Sequence, residues 1–440
     1  MELENAFQDP QLCHALLQRL TRALDGRTLR FMEVCGTHTV AIFQSGLRSL
    51  LPASVTHLSG PGCPVCVTHD AEVAAFLDLA GRDGVILTTF GDLLRVPGPG
   101  GKSLKHAQAQ GARVEIVYSP LDALNVAAAN PESTVVFLGI GFETTAPTVA
   151  ATLLTARQRK IRNFCVLSLH KLVPPALRTL LDDSQCGIEA FLLPGHVSTI
   201  LGLEPYAFLA RDYHVPGVVG GFQPADILLA LCLMAEQRRD GTAAVVNAYP
   251  RAVDDAGNPR ARALMEQVFE PTDALWRGIG RIPQSGLKLR PDFADLDAMA
   301  RLDVTLPEVP PLPGCRCGDV LRGRMAPPDC PLFGKKCTPA TPVGPCMVST
   351  EAVAPPTTNI RSDNGDLSSS GCGQRRTRLA APGGAVFSAA FRQPPAGTAG
   401  RRRPAGGSGR PAGHEHRYLY RDAALLPRRQ HRQSGRARHG

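Results

Sequence analysis

The sequence predicts an α/β protein: two similar parallel-sheet α/β domains, followed by a region that carries a second group of cysteines. Three observations predict this. Short apolar runs alternate with segments of helical spacing from residue 29 to residue 219, the order expected of repeated βα units. Several runs stop at Gly- or Pro-containing loops bearing Cys, His or Glu, and open α/β sheets place their chemistry at the carboxyl ends of strands. The two halves also echo each other. Cys35-Gly-Thr-His38-Thr39 and Gly141-Phe-Glu143-Thr-Thr145 occupy matching places, and the Pro61-Gly-Cys63 loop matches Pro194-Gly-His196. A duplicated domain with a cleft between its copies accounts for the echo.

In chain order, Leu12, Leu16, Leu17, Leu20 and Leu24 fall at helical spacing. A strand from Leu29 to Val34 ends at Cys35, and a helix is expected from Val40 to Leu51. A second strand, Val55–Leu58, ends in Gly60-Pro-Gly-Cys63-Pro-Val-Cys66, before a helix over Ala71–Leu79 and a strand over Val85–Thr88. Pro97-Gly-Pro-Gly-Gly-Lys102-Ser103 resembles a phosphate loop. However, Val96 stands where the pattern needs its first Gly, and the two prolines remove amide donors, so a flexible loop is expected. Further strands are expected at Val114–Val117, Val135–Ile140, Phe164–Ser168, Ala190–Leu193 and Val218–Val219. Residues 225–300 read as mainly helical, with Trp276–Gly286 as an ordered loop. The resulting domains are residues 28–118 and 119–224, with residues 1–27 and 225–351 forming a helical and irregular third domain. From residue 352 the composition turns to Arg, Gly, Ala, Pro and Ser without periodicity, which predicts disorder.

Charge narrows the function classes. The net charge of +9 comes from the tail, where residues 352–440 hold 16 Arg, no Lys and 4 acidic residues. The body is near neutral, so no nucleic-acid partner is expected. No run approaches the ~18 apolar residues of a membrane span, and the acidic start lacks a signal pattern, so a cytoplasmic protein without membrane contact is expected. In that compartment thirteen cysteines point to metal or redox chemistry rather than a disulfide framework. Cys13, Cys165, Cys186 and Cys232 lie in apolar surroundings and read as core residues.

The remaining cysteines fall into two groups, with Cys372 alone in the tail. Cys35, Cys63 and Cys66, with His38, would converge on one point and suit a soft metal ion or a thiol–disulfide step. Cys63-Pro-Val-Cys66 is either a redox pair or half of a zinc site. Glu143 fits a helix first-turn acid as well as a cleft residue, and His196 fits an ordinary loop histidine as well as a site residue. The second group reads Cys315-x14-Cys330-x6-Cys337, with Cys317 and Cys346 nearby. Its wide spacing in Pro/Gly-rich chain suits a [4Fe–4S] cluster better than the tight knuckles of zinc.

Cys35-Gly-Thr-His-Thr39, Gly60-Pro-Gly-Cys-Pro-Val-Cys66, Gly141-Phe-Glu-Thr-Thr145, Pro194-Gly-His-Val-Ser198, Cys330-Pro-Leu-Phe-Gly334 and Pro342-Val-Gly-Pro-Cys-Met-Val-Ser349 together resemble the HypD family of hydrogenase maturation proteins. The resemblance runs from about residue 10 to Glu351. It implies two similar α/β domains plus a smaller iron–sulfur-binding domain, and a role as scaffold for the Fe(CN)2CO group of [NiFe]-hydrogenases. It also implies a small chaperone partner, HypC, cyanide delivered by HypE with HypF, and ultimately the hydrogenase large subunit. Cys35 would then be an iron ligand shared with a partner cysteine, and Cys63 and Cys66 a redox pair beside the iron. The cluster would relay electrons, with Cys315, Cys330 and Cys337 as thiolates and either Cys346 or Cys317 recruited as the fourth, or else three thiolates holding it labile. His38, Glu143 and His196 would line the cleft, with His38 expected to lower the pKa of Cys35. A thiol–disulfide oxidoreductase and a structural zinc protein are the alternatives from other classes.

The tail departs from the family. Family chains continue with Gly-x-Cys-Ala-Ala-Tyr-Tyr-Lys-Tyr, and codons for residues after Glu351 permit that run in another reading frame. Residues 425–440 similarly permit a segment resembling the HypE family. The tail therefore reads as an out-of-frame translation, and it places Ala354 where the family pattern has its fourth cluster cysteine.

Overall fold

The computed structural model of the protein describes residues 8–310 and 312–348. The expectations for the tail, including disorder and the Ala354 position, lie outside these residues. Nine parallel strands form two sheets. The first contains β1 (Leu29–Glu33), β2 (Val55–Ser59), β7 (Ala190–Pro194), β8 (Gly217–Gly220) and β9 (Val245–Asn247), in the order β2-β1-β7-β8-β9. The second contains β3 (Val85–Thr89), β4 (Arg113–Ile116), β5 (Thr134–Gly139) and β6 (Phe164–Ser168), in the order β4-β3-β5-β6. Strands buried on both faces, such as Val85–Thr89, read as unbroken apolar or Thr-rich runs because helices cover both sides.

The sheets interleave along the chain. The expected boundary at residues 118/119 follows neither sheet, because the second sheet is built within the connection between β2 and β7. The echo resolves differently too. By position in the sheets, Gly141–Thr145 after β5 matches Pro194–Ser198 after β7, not Cys35–Thr39 after β1. Loop similarity could not reveal this, because strand order is set by nonlocal pairing.

The Pro10–Leu24 helix buries Leu16, Leu20 and Leu24 beside the Pro224–Arg239 helix. Arg19 pairs with Glu236 at 2.7 Å across that contact. Both helices share a core with Phe31, Leu192 and Val218, so they cover the first sheet rather than form part of a third domain.

Residues 269–289 were expected to be helix and loop but form an antiparallel hairpin of β10 (Phe269–Trp276) and β11 (Gly280–Leu289). Alternating burial in β10 matches a half-exposed strand, and Gly278 (φ +73°) and Gly280 (φ +100°) supply the positive φ values of the turn. Within the 97–103 segment the Gly98 N–H donates to the Lys102 carbonyl at 2.8 Å.

Candidate functional site

Each parallel sheet has one crevice where successive connections leave in opposite directions: between β1 and β7 in the first, and between β3 and β5 in the second. Loops from both crevices line one cavity of ≈ 250 Å³. Cys35, Thr37 and His196 come from the first sheet, and Asp92, Gly141 and Thr145 from the second. A larger cavity of ≈ 1020 Å³ runs along the hairpin past His69, Lys171 and Lys288, and holds none of the predicted site residues.

Cys35 caps the Gly36–Gln44 helix with extended backbone (φ −150°, ψ 119°). Its N–H donates to Glu33 Oε2 at 2.9 Å, while Glu33 Oε1 accepts from the Thr39 hydroxyl at 2.5 Å, so one buried carboxylate fixes the turn. The Gly36 N–H donates to the Gly62 carbonyl at 3.0 Å. A Cβ on Gly62 would lie 2.1 Å from the Cys35 nitrogen, so only glycine lets the two cysteine motifs touch. Burial pushes the Cys35 thiol up to about 12, against the N–H groups of His38 and Thr37, which favour the thiolate. The thiol is therefore protonated at neutral pH.

His38 does not activate it. The ring turns toward β8, where Nε2–H donates to the Gly221 carbonyl at 3.0 Å and the ring lies 4.7 Å from that of Phe222. Burial pushes its pKa down to about 4, so the imidazole is neutral at pH 7 and only its backbone N–H assists Cys35. Glu143 is buried behind the cavity. Its Oε1 accepts from the Val173 N–H at 2.9 Å at the start of the Val173–Asp182 helix, and its Oε2 has no hydrogen-bond partner. Burial raises its pKa to about 7. It thus serves a helix start, though not its own, and its neighbours Phe142 and Thr144 line the cavity in its place. His196 does line the cavity, stacked on Phe222 at 4.2 Å.

Cys63 begins the short Pro64–Val67 helix and accepts the Cys66 N–H at 3.4 Å. Both thiols are buried, while Gly62, Pro64 and Val65 face the cavity. Burial, then Cys63, Cys346 and Cys317, push the Cys66 thiol up. The expected convergence of three thiols and an imidazole on one point is therefore not found. Among the described residues, no three His, Cys, Asp or Glu side chains are arranged to hold a metal ion. The dithiol lies between Cys35 and the second cysteine group, because its helix packs on the Pro345–Met347 turn.

That second group is gathered. Cys317, Cys337 and Cys346 pack with Phe333 and Met347 in one cluster, and Cys315 and Cys330 pack against it. The Cys317 and Cys346 sulfurs lie 2.7 Å apart, and the Val343 N–H donates to Cys337 Sγ at 3.3 Å. A Cβ on Gly344 would meet Cys317 Sγ at 2.6 Å and Cys315 Sγ at 2.8 Å. Five cysteines, an N–H directed at sulfur and a glycine cradle supply the donor types of an iron–sulfur cluster, while among the described residues no three of these thiols are themselves arranged around a metal-sized site. Sequence reasoning missed Glu33, whose signal was a charged residue closing an apolar strand two positions before a cysteine.

The site is thus a pair of α/β crevices sharing one thiol-bearing cavity, with a dithiol abutting a nest of five cysteines. Residues 11–355 match the family model HypD, described as the hydrogenase formation hypA family. The chain is 47% identical over 326 residues to the hydrogenase maturation factor HypD of Escherichia coli K12, covering 74% of this chain and 87% of the relative. It is 43% identical over 359 residues to that of Rhizobium leguminosarum bv. viciae, covering 80% and 93%. To that of Rhodobacter capsulatus it is 42% identical over 362 residues, covering 80% and 96%. The chain belongs to the HypD family of hydrogenase maturation factors. No helix among the described residues is long and apolar enough to cross a membrane.

Proposed function

We propose that the protein is a cytoplasmic scaffold on which the Fe(CN)2CO group of a [NiFe]-hydrogenase is assembled before transfer to the hydrogenase large subunit. The observation that carries this reading is the shared cavity, where Cys35 stands at a sheet crevice with a buried, protonated thiol. An Fe(II) ion arriving as cargo displaces that proton and makes the thiolate its soft anchor. Cys35 supplies one ligand. Among the described residues no set of three His, Cys, Asp or Glu side chains surrounds a metal-sized site, so a partner would complete the coordination, and a cysteine of HypC suits that place. Thr37 and His196 border the same space, and HypE, charged with cyanide by HypF, would dock over it.

The Cys63–Cys66 dithiol, one backbone contact from Cys35, is the source of electrons for ligand installation. Cys315, Cys330, Cys337 and Cys346, with Cys317 alongside, would hold a [4Fe–4S] cluster, which when bound supplies one-electron transfer. Contact between the Pro64–Val67 helix and the Pro345–Met347 turn supports a relay from that group to the dithiol.

The test is infrared spectroscopy of the protein purified anaerobically with HypC. CN and CO stretching bands of a metal-bound group are expected. Cys63→Ser and Cys66→Ser should each stop hydrogenase maturation while leaving the iron and sulfide of the second group in place. Loss of that iron in either variant would overturn the assignment of separate roles.

A further inference from the structure

The Trp276–Gly278 turn joins β10 to β11, yet its location is not that of an ordinary hairpin tip. The Arg277 N–H donates to the Val67 carbonyl at 2.9 Å, and Trp276 bridges to Thr68, so the turn is tied to the chain one and two residues beyond Cys66. On its other side Gly278 (φ +73°) lies directly on Gly318, the residue after Cys317. A Cβ on Gly278 would stand 2.2 Å from the Gly318 Cα. Only glycine at both places permits this approach. Arg277 is thus clamped between the dithiol and the second cysteine group.

Its side chain is 6% exposed. One guanidinium nitrogen pairs with Asp70, while Nε is buried without a hydrogen-bond partner. A buried unsatisfied donor on a cation is costly, of order 1–3 kcal/mol or more, and a site that keeps one has an acceptor to come. Burial pushes the guanidinium pKa down, and the sulfur-bearing residues placed to act against it are Cys317, Cys315, Cys346 and Cys66. The acceptor that these cysteines would offer once they bind iron and sulfide is anionic sulfur, as thiolate or inorganic sulfide. Hydrogen bonds and net charge at sulfur are what set cluster potentials.

We propose that Arg277 is a positioning residue for electron transfer: its buried guanidinium, partly offset by Asp70, holds negative charge on the sulfur group bound by the second cysteines and makes that group easier to reduce. This rests on the proposed iron–sulfur function of those cysteines. The step concerned is the gain of one electron by the bound group, with no bond made or broken. The added charge is stabilised by a fixed cation too deeply buried for water to screen.

The test is a potentiometric titration, followed by electron paramagnetic resonance, of the full chain reconstituted anaerobically with ferrous iron and sulfide. Dithionite serves as reductant in the presence of redox mediators. Arg277→Gln is expected to lower the equilibrium constant for one-electron reduction at least tenfold, ~59 mV for a one-electron couple. Arg277→Lys, which keeps the charge, should stay within threefold of wild type. Asp70→Asn, which removes the offsetting charge, should shift the constant the opposite way. A role in packing alone would move Gln and Lys alike, and that result, or a Gln value within threefold of wild type, overturns the proposal. Should Arg277→Gln fail to fold, Asp70→Asn decides: an upward shift supports the proposal and an unchanged potential overturns it. Wild-type protein that takes up no iron and sulfide would defeat the proposed function itself and the inference with it.

Discussion

Glu143 carries the sharpest consequence at the scale of single residues. Its folded pKa of about 7 lies above the ordinary 4.5, so burial disfavours the carboxylate. The sign follows from linkage. The stability that goes with the protonated form is fully present below pH 4.5 and is lost as pH rises towards 7, on the order of 3 kcal/mol for a shift of this size. Glu143→Gln keeps an acceptor for the Val173 N–H and cannot ionise. Its unfolding free energy, measured in urea between pH 4.5 and 7.5, should lack that decline, and an unchanged pH profile would show that the carboxyl is already charged without penalty. The identity of Cys35 and His196 as cavity residues was legible in their loops. The direction of His38 was not, because motif spacing fixes neighbours along the chain but not which helix face meets β8. The same holds for Glu143, whose carboxyl turns from the cavity to a helix start brought in from 30 residues away.

At the scale of elements, strands with unbroken apolar runs and helices with Leu spacing could be read directly, including β1, β5, β6 and the Pro10–Leu24 helix. The hairpin could not. Its strands hold Pro271, Asp273, Pro283 and Gly286, which break the usual strand pattern, and its register shifts between Thr272 and Ala274. The contact between the loops after β1 and β2 is the element-level feature on which the site depends. Gly62→Ala places a methyl 2.1 Å from the Cys35 nitrogen and 2.2 Å from the Val34 carbonyl carbon. The expected outcome is a loss of about 2–3 kcal/mol in urea unfolding, at the upper end for overpacking because the obstacle is backbone. An alanine variant as stable as wild type would mean that the two motifs separate freely.

At the scale of the whole molecule, the two-sheet architecture was legible, but the nesting of one sheet inside the other was not, since order within a sheet depends on pairings more than a hundred residues apart, such as Phe31 with Ala190. The charge asymmetry assigns nothing to the body. The family match stops at residue 355. The basic tail is expected to arise from a shifted frame, and resequencing across the codon for Glu351 checks this, with an unshifted frame contradicting it. If the frame is genuine, iron per chain should fall well below that of a relative with the fourth cysteine. The central claim, that Cys35 anchors the iron in the shared cavity, is tested most directly by infrared spectroscopy of the Cys35→Ala variant purified anaerobically with HypC. The account predicts that the CN and CO bands vanish while circular dichroism stays that of the folded protein; bands of unchanged frequency and intensity would contradict it.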